Sequence, residues 1–350
     1  MKIAWNDPRL QFCGRVDWEN PEKPEFIFPA TSLQFSFWGK EAHIVVRNRH
    51  NYWENSVGAI VDGVQKKWVL KEDGTTEITL LSEPLERKHK VLFFKRMDSS
   101  HELVLESLFF GEEGRLLDPP ALPKRRMEVY GDSVSAGEVS EALEYVGKQD
   151  PQDNNGQYSN SWYSYAWMTA RKLHAQIHDI AQGGIPLMDG TGWVEPPIYI
   201  GMESVWDKVH YYPRHDRVTN WDFSKYRPHL VLVAIGQNDA NPYNFMEEDP
   251  DGEQAKKWKE SYRKFLLNLR EKYPKAVIVL ATTILYHSAK WDEAIEEVCK
   301  SMQDDRIRHF LYTRNGTGTP GHIRIPEAEE MADELAEYIE NLDISVWEEE

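Results

Sequence analysis

Three features of this 350-residue chain predict an α/β protein of two domains. The first third carries many short strand signals and no convincing helix. A proline-rich break follows. From there to the end, strand and helix patterns alternate. Residues 33–38 alternate apolar and polar with period two, and similar runs follow at 42–46, 57–61, 67–70, 76–80, 90–94 and 103–110. Asp62-Gly63 and Asp73-Gly74 supply turn chemistry between them. Short strands at regular spacing predict a β-sandwich over residues 1–110.

Gly114, Pro119, Pro120 and Pro123 remove the periodicity of 111–126, which reads as an interdomain linker. In the second domain, 127–350, strands are predicted at 127–130, 175–180, 230–235, 276–281 and 307–311. Helices are predicted at 161–173, 255–273, 292–302 and 326–341. Within 255–273, Trp258, Tyr262, Phe265, Leu266 and Leu269 recur at helical spacing and make one apolar face. Alternating βα units imply a mostly parallel sheet with helices on both faces. Ligands of such sheets bind at the carboxyl ends of the strands.

Hydrophobic residues at 41% and charged residues at 28% suit a globular protein. A net charge of −17 repels phosphate backbones and anionic lipids, so neither nucleic acid nor a membrane is expected as a partner. Only Cys13 and Cys299 are present, and no Cys/His spacing resembles a zinc site; no disulfide, metal or organic cofactor is expected. The start lacks a long apolar segment and no run reaches membrane-spanning length, which predicts a cytoplasmic protein. Nothing in these features opposes oligomerisation.

The chemistry-bearing stretch is Gly131-Asp132-Ser133, directly after the strand at 127–130. A strand running through Gly-Asp-Ser into a helix exposes one hydroxyl at a sharp turn, beside N–H groups that can face developing negative charge. The same tripeptide is also ordinary turn chemistry. Three later features converge with it. Gly183-Gly184 ends the strand at 175–180, where a glycine brings a backbone N–H close to a ligand. Gly236-Gln237-Asn238-Asp239 ends the strand at 230–235, and the Asn238 carboxamide is a donor at the sheet edge, unless it simply caps a turn. Pro320-Gly321-His322 precedes the last helix, so that His322 can return to the edge and accept the Ser133 proton. His174 and His178, in a predicted helix and strand, read as structural.

In order and placement these four blocks resemble the SGNH, or GDSL-type, hydrolase superfamily. With the β-rich region ahead of them, the chain resembles carbohydrate esterase family 2, whose members remove acetyl groups from plant polysaccharides. The resemblance implies a jelly-roll domain followed by a flavodoxin-like, three-layer α/β/α hydrolase domain. It also implies roles. Ser133 is the nucleophile and its own N–H an oxyanion donor. Gly184, chosen over Gly183, and Asn238 supply the other donors, and His322 is the base. Asp132 holds the turn.

One position departs from the superfamily pattern. The triad acid usually lies three residues before the histidine, and here that residue is Thr319. A threonine offers no carboxylate to steady an imidazolium. A Ser-His dyad, as in some members of the family, is therefore the expectation, with an acid from elsewhere in the chain as the rival.

The reading predicts an esterase working through an acetyl-serine, with an acetylated oligo- or polysaccharide of xylan or mannan type as substrate. Thirteen tryptophans supply faces on which sugars stack, and Trp193, Trp206 and Tyr243 are the substrate-binding candidates, with Tyr211 and Tyr212 behind them. The alternatives are a broader small-acyl or lipid esterase and a carbohydrate-binding protein with a decayed esterase site.

Overall fold

The structure, a computed structural model, describes residues 2–348. Its first domain is one antiparallel network of ten strands. The main path runs Val16–Asp17, Glu25–Phe26, Glu102–Phe110, Ser32–Arg49, Asp73–Lys95, Ser56–Val61, Val64–Val69. Lys2–Ile3 joins Glu102–Phe110, while Gln11–Cys13 and Arg115–Leu117 join Ser32–Arg49.

Two strands are longer than their periodicity suggested. The runs at 33–38 and 42–46 belong to one strand, Ser32–Arg49, and those at 76–80 and 90–94 to another, Asp73–Lys95. Core-facing residues have odd numbers at Leu33, Phe35 and Phe37 and even numbers at Ala42, Ile44 and Val46, all fully buried. The parity changes where the pairing register shifts, between Gly39 and Glu41 and between Ala42 and His43. An irregularity of this kind turns the following stretch over by one position. Both halves thus face a single core. The alternation breaks in the sequence while the hydrogen-bonded strand continues.

The expected linker is also shorter than 111–126. Arg115–Leu117 pairs with Ser32–Arg49, and Arg125–Gly131 already belongs to the second sheet, which leaves 118–124 as the connection. Three residues are too few for a period to register, although Leu116 is buried in the first core.

The second sheet is parallel, in the order Ala175–Ala181, Arg125–Gly131, Leu230–Ala234, Val277–Leu280, Ile307–His309. Numbered along the chain this is 2-1-3-4-5, the doubly wound order whose ligand site lies at the carboxyl edge. Alternation along each strand divides its side chains between two cores. Met127, Val129, Leu230 and Leu232 meet the helices Tyr165–Lys172 and Ile325–Glu340. Tyr130, Val231 and Val233 meet Glu253–Lys272 and Ala289–Met302. The helix predicted at 161–173 is split. A short 3₁₀ turn occupies Ser161–Tyr163, and the α-helix starts after Ser164, whose hydroxyl accepts from the Trp167 N–H at 3.1 Å. No helix among the described residues is long and apolar enough to cross a membrane.

Polar contacts lock the domains together at the edge that matters. The buried Arg15 guanidinium donates to Trp206 O at 2.6 Å, the Tyr130 hydroxyl at 2.7 Å and Glu128 Oε1 at 3.2 Å. The Ser99 hydroxyl donates to Ala181 O, at the carboxyl end of its strand, at 3.0 Å. Segment 95–102 is thereby held against the carboxyl edge of the second sheet, and segment 50–55 reaches the same edge where Gln182 Nε2 donates to the Tyr52 hydroxyl at 3.3 Å.

Candidate active site

Ser133 opens a four-residue helix, Ser133–Ala136, directly after the strand Arg125–Gly131. Asp132 caps that helix, its Oδ1 accepting from the Val134 N–H at 3.0 Å. Burial pushes the Asp132 carboxyl up to about 6, against the pull of that N–H and of His322. Its role is the turn, as the sequence suggested. As the first helical residue, Ser133 has an N–H without an intrahelical acceptor.

The Ser133 hydroxyl lies 2.9 Å from His322 Nε2. On the other side of the ring, Nδ1 lies 2.6 Å from Asp150 Oδ2, and the His322 N–H donates to Asp150 Oδ1 at 2.8 Å. Arg324 pairs with the same carboxylate at 3.0 Å. These contacts correct the dyad. A carboxylate stands behind the base, and it comes from the loop after the Ser133 helix rather than from the segment before His322. Thr319 takes no part: it is fully buried and bridges to Leu285.

Electrostatics follow from this geometry. Burial opposes the Asp150 charge, but the His322 hydrogen bond and Arg324 prevail and hold the group at about 2. Burial lowers His322, yet the Asp150 hydrogen bond and charge prevail and carry it above the usual imidazole range. The pairing thus stabilises the cationic form of the ring.

Two glycines follow the strand Ala175–Ala181. The Gly183 N–H is spent on Asp98 Oδ2 at 2.7 Å. Gly184, at φ +72°, has no acceptor for its N–H among the described hydrogen bonds. Asn238 lies in the turn Gln237–Ala240 after Leu230–Ala234. Its Nδ2 donates to Ile185 O at 3.2 Å and to Asp132 Oδ2 at 3.3 Å, long bonds that hold the carboxamide beside Ser133. Asp239, buried and pushed up to about 7 by that burial, accepts from the Leu187 and Met188 N–H groups and ties this turn to the glycine loop.

Ser133, Gly184, Asn238 and His322 all line one cleft of about 570 Å³, within the usual range of ligand sites. Its aromatic wall is Tyr52, Trp53, Trp193 and Tyr212. Trp193 is 63% exposed and lines the cleft. Trp206 is not a ligand platform: it is 8% exposed and packs in the core against Phe223 and Phe265. Tyr243 is exposed but lies outside the cleft, with its hydroxyl on Glu248 at 2.8 Å. Tyr211 is buried against Ser99, whereas Tyr212 reaches the cleft.

Sequence reasoning missed Asp150, Glu138 and the first domain's Tyr52 and Trp53. Those four carry no motif of their own. Away from the cleft, Asp17, Glu25 and His210 are the one described group whose donor atoms lie close enough for a metal ion. The guanidinium of Arg217, and that of Arg49 at Glu25, already supply positive charge there.

Residues 12–120 match the family model Carbohydrate esterase 2 N-terminal. The cellulase/esterase CelE of Acetivibrio thermocellus is 28% identical over 96% of this chain, which spans only 40% of that protein's length. The acetylxylan esterase / glucomannan deacetylase of Cellvibrio japonicus is 23% identical over 97% of the chain and 90% of its own length. Among solved structures, a family two carbohydrate esterase from Clostridium thermocellum in complex with cellohexaose superposes with a TM-score of 0.77. It is 26% identical and covers 95% of this chain and 98% of its own. The chain thus shares the two-domain fold of a family two carbohydrate esterase, and residues 12–120, antiparallel strands that lead into a parallel α/β domain, match that family's N-terminal model.

Proposed function

We propose that the protein is a serine carbohydrate esterase that removes O-acetyl groups from acetylated plant oligo- or polysaccharides of xylan or mannan type. The observation that carries this reading is the chain of contacts from the Ser133 hydroxyl through His322 to Asp150, in a cleft with oxyanion donors on one side and aromatic faces on the other. In the first step His322 Nε2 takes the Ser133 proton as Oγ attacks the acetyl carbon. The carbonyl oxygen becomes an oxyanion facing the N–H groups of Ser133 and Gly184 and the Asn238 carboxamide. His322 then returns the proton to the departing sugar oxygen. Water repeats the sequence on the acetyl-serine and releases acetate. Asp150 keeps the imidazole oriented throughout and stabilises its cationic form.

An intact Ser133–His322–Asp150 arrangement speaks against a decayed site. Tyr52, Trp53, Trp193 and Tyr212 suit the apolar faces of sugar rings better than they suit a long acyl chain. The names of the two curated relatives point the same way.

The test is proton NMR of acetate release from defined acetylated xylo- and manno-oligosaccharides, with wild type and Ser133→Ala. Acetate should appear with wild type and fall by about 10⁴-fold or more in the variant. Equal, negligible release by both would overturn the esterase. Faster hydrolysis of octanoyl than acetyl esters would replace the sugar substrate with a lipid.

A further inference from the structure

Glu138 follows the left-handed Gly137 that ends the Ser133 helix. It is only 5% exposed, yet it lines the cleft. Its Oε2 stands 3.9 Å from His322 Nε2, the nitrogen that holds the Ser133 hydroxyl. Its Oε1 turns the other way, toward Gly183 and Asp98. A Cβ at Gly183 would lie 2.0 Å from Glu138 Oε1 and 2.9 Å from Asp98 Oδ2. The absence of that Cβ lets the two carboxyl groups meet as hydrogen-bond partners.

Two buried carboxyl groups in contact share one proton at neutral pH. The surroundings decide which of them stays ionised. Asp98 Oδ2 accepts from the Gly183 N–H and Gln182 Nε2, each at 2.7 Å, and from the Tyr52 hydroxyl at 3.0 Å. Asp98 Oδ1 accepts from the Ser100 N–H at 3.0 Å and from the Ser100 hydroxyl. Those are five donated hydrogen bonds, and each favours Asp98 as the acceptor of the pair. Burial, then the charge of Asp98, push the Glu138 carboxyl well above the ordinary range, against the pull of His322 and with a smaller push from Asp132. Glu138 is therefore a neutral acid that donates from Oε1 to Asp98. Its Oε2 is left as a carbonyl-like acceptor facing the catalytic nitrogen.

We propose that Glu138 Oε2 holds the hydrolytic water of the deacylation step, and by doing so favours water over alcohols as the acceptor of the acetyl group. This rests on the acetyl-serine reading above. An oxygen about 2.8 Å from each of two atoms fits across a gap of this width. Water has two O–H bonds. One points to His322 Nε2 and is the proton that leaves; the other donates to Glu138 Oε2. The oxygen lone pair is then directed at the acetyl carbon. The new C–O bond forms as His322 takes the proton. The Ser133 Oγ–C bond breaks as His322 returns a proton to Oγ, and acetic acid leaves. The proton between Glu138 and Asp98 does not move. An alcohol has a single O–H, needs it for His322, and leaves Glu138 Oε2 without a donor.

The experiment is the partition of one acetyl-enzyme between water and methanol. An aryl acetate is turned over in buffer with added methanol, and methyl acetate and acetate are measured by NMR. Both products come from the same intermediate, so general damage to acylation cancels from their ratio. Glu138→Leu is expected to raise the methyl acetate to acetate ratio by about 10-fold, the scale of losing one positioning contact. Glu138→Gln, which keeps an amide oxygen toward His322 and an N–H toward Asp98, should return the ratio toward wild type. If Glu138→Leu does not fold, Gly183→Ala displaces the same carboxyl group and should raise the ratio in the same direction. An unchanged ratio in the folded variant overturns the role of Glu138. So does a raised ratio that Glu138→Gln fails to restore. The absence of any Ser133-dependent product from wild type overturns the esterase reading instead.

Discussion

The two walls of the cleft are built by different rules. One comes from the second domain and is made of strand ends: Ser133 after Arg125–Gly131, Gly184 after Ala175–Ala181, and Asn238 after Leu230–Ala234. Parallel pairing between these neighbouring strands fixes their ends relative to one another, so the reacting atoms inherit the precision of the sheet. The other wall includes Tyr52 and Trp53 from the 50–55 segment of the first domain, which presents ring faces and no reacting group. It is held at the sheet edge by side-chain contacts rather than by strand pairing: the Tyr52 hydroxyl accepts from Gln182 Nε2 at 3.3 Å and donates to Asp98, which in turn accepts from the Gly183 N–H. Chemistry needs atoms placed within a fraction of an ångström; stacking on a sugar needs only a flat apolar surface at about the right distance. Under the function proposed above, the first wall should therefore govern turnover of every ester, and the second only of those that carry a saccharide.

Behind the first wall, and second only to the loss of Ser133 itself, the largest effect is expected at Asp150. Asp150→Asn should lower kcat by about 10³- to 10⁴-fold on aryl acetate and acetylated sugar alike, because the imidazolium loses its counter-charge. The pH profile carries a second signature. His322 must be neutral to act as base, and it titrates above the usual imidazole range, against the effect of burial, through the Asp150 hydrogen bond and charge. The acid limb of kcat/KM in wild type is therefore expected above the usual imidazole range. Removing Asp150 should move it to lower pH, since burial then dominates. An unmoved limb in Asp150→Asn would show that the carboxylate does not act on His322.

A smaller effect of the same kind is expected at Gly321. A Cβ there would lie 2.5 Å from Lys148 O and 2.7 Å from Asp150 Oδ1, so Gly321→Ala should push the acid away from the base. A displacement of that order costs about 10²-fold in kcat. Combined with Asp150→Asn it should add little, because both changes remove one interaction. Full additivity on activity would mean that Gly321 acts elsewhere.

The difference between the walls also sets what was legible in the sequence. Ser133, Gly184, Asn238 and His322 could be found because each sits at a strand end or next to a helix start, and such places are marked by glycine, turn residues and the end of an apolar run. Asp150 could not. Its one requirement is a carboxylate 2.6 Å from Nδ1, and any loop that passes the ring can supply it. Gly321 was its only trace, and a glycine has many other uses. Trp193 and Trp206 are the same residue type thirteen positions apart; what separates 63% from 8% exposure is tertiary packing, which no local pattern records. In the first domain the period-two runs were read correctly as strands, but a register irregularity looks the same in sequence as a strand end. Four runs were therefore counted where two continuous strands exist.

The smallest effect, and the one that bears most directly on the second wall, is at Trp53. Its ring lines the cleft, while its backbone oxygen is held by His50 Nε2 at 2.5 Å, a contact that Trp53→Ala retains. If a sugar face of about 60 Å² packs on the indole, its loss costs about 1.5 kcal/mol, or about 10-fold in affinity. Trp53→Ala should then raise KM for acetylated oligosaccharides by about that factor with little change in kcat. On aryl acetate, whose reacting end meets only the first wall, kcat/KM should change by less than about 2-fold. Steady-state kinetics on the two substrates side by side decides the matter. An equal loss on both would mean that Trp53 supports the catalytic geometry itself, and the division between a wall for chemistry and a wall for recognition would fail at the residue where it is most exposed to test.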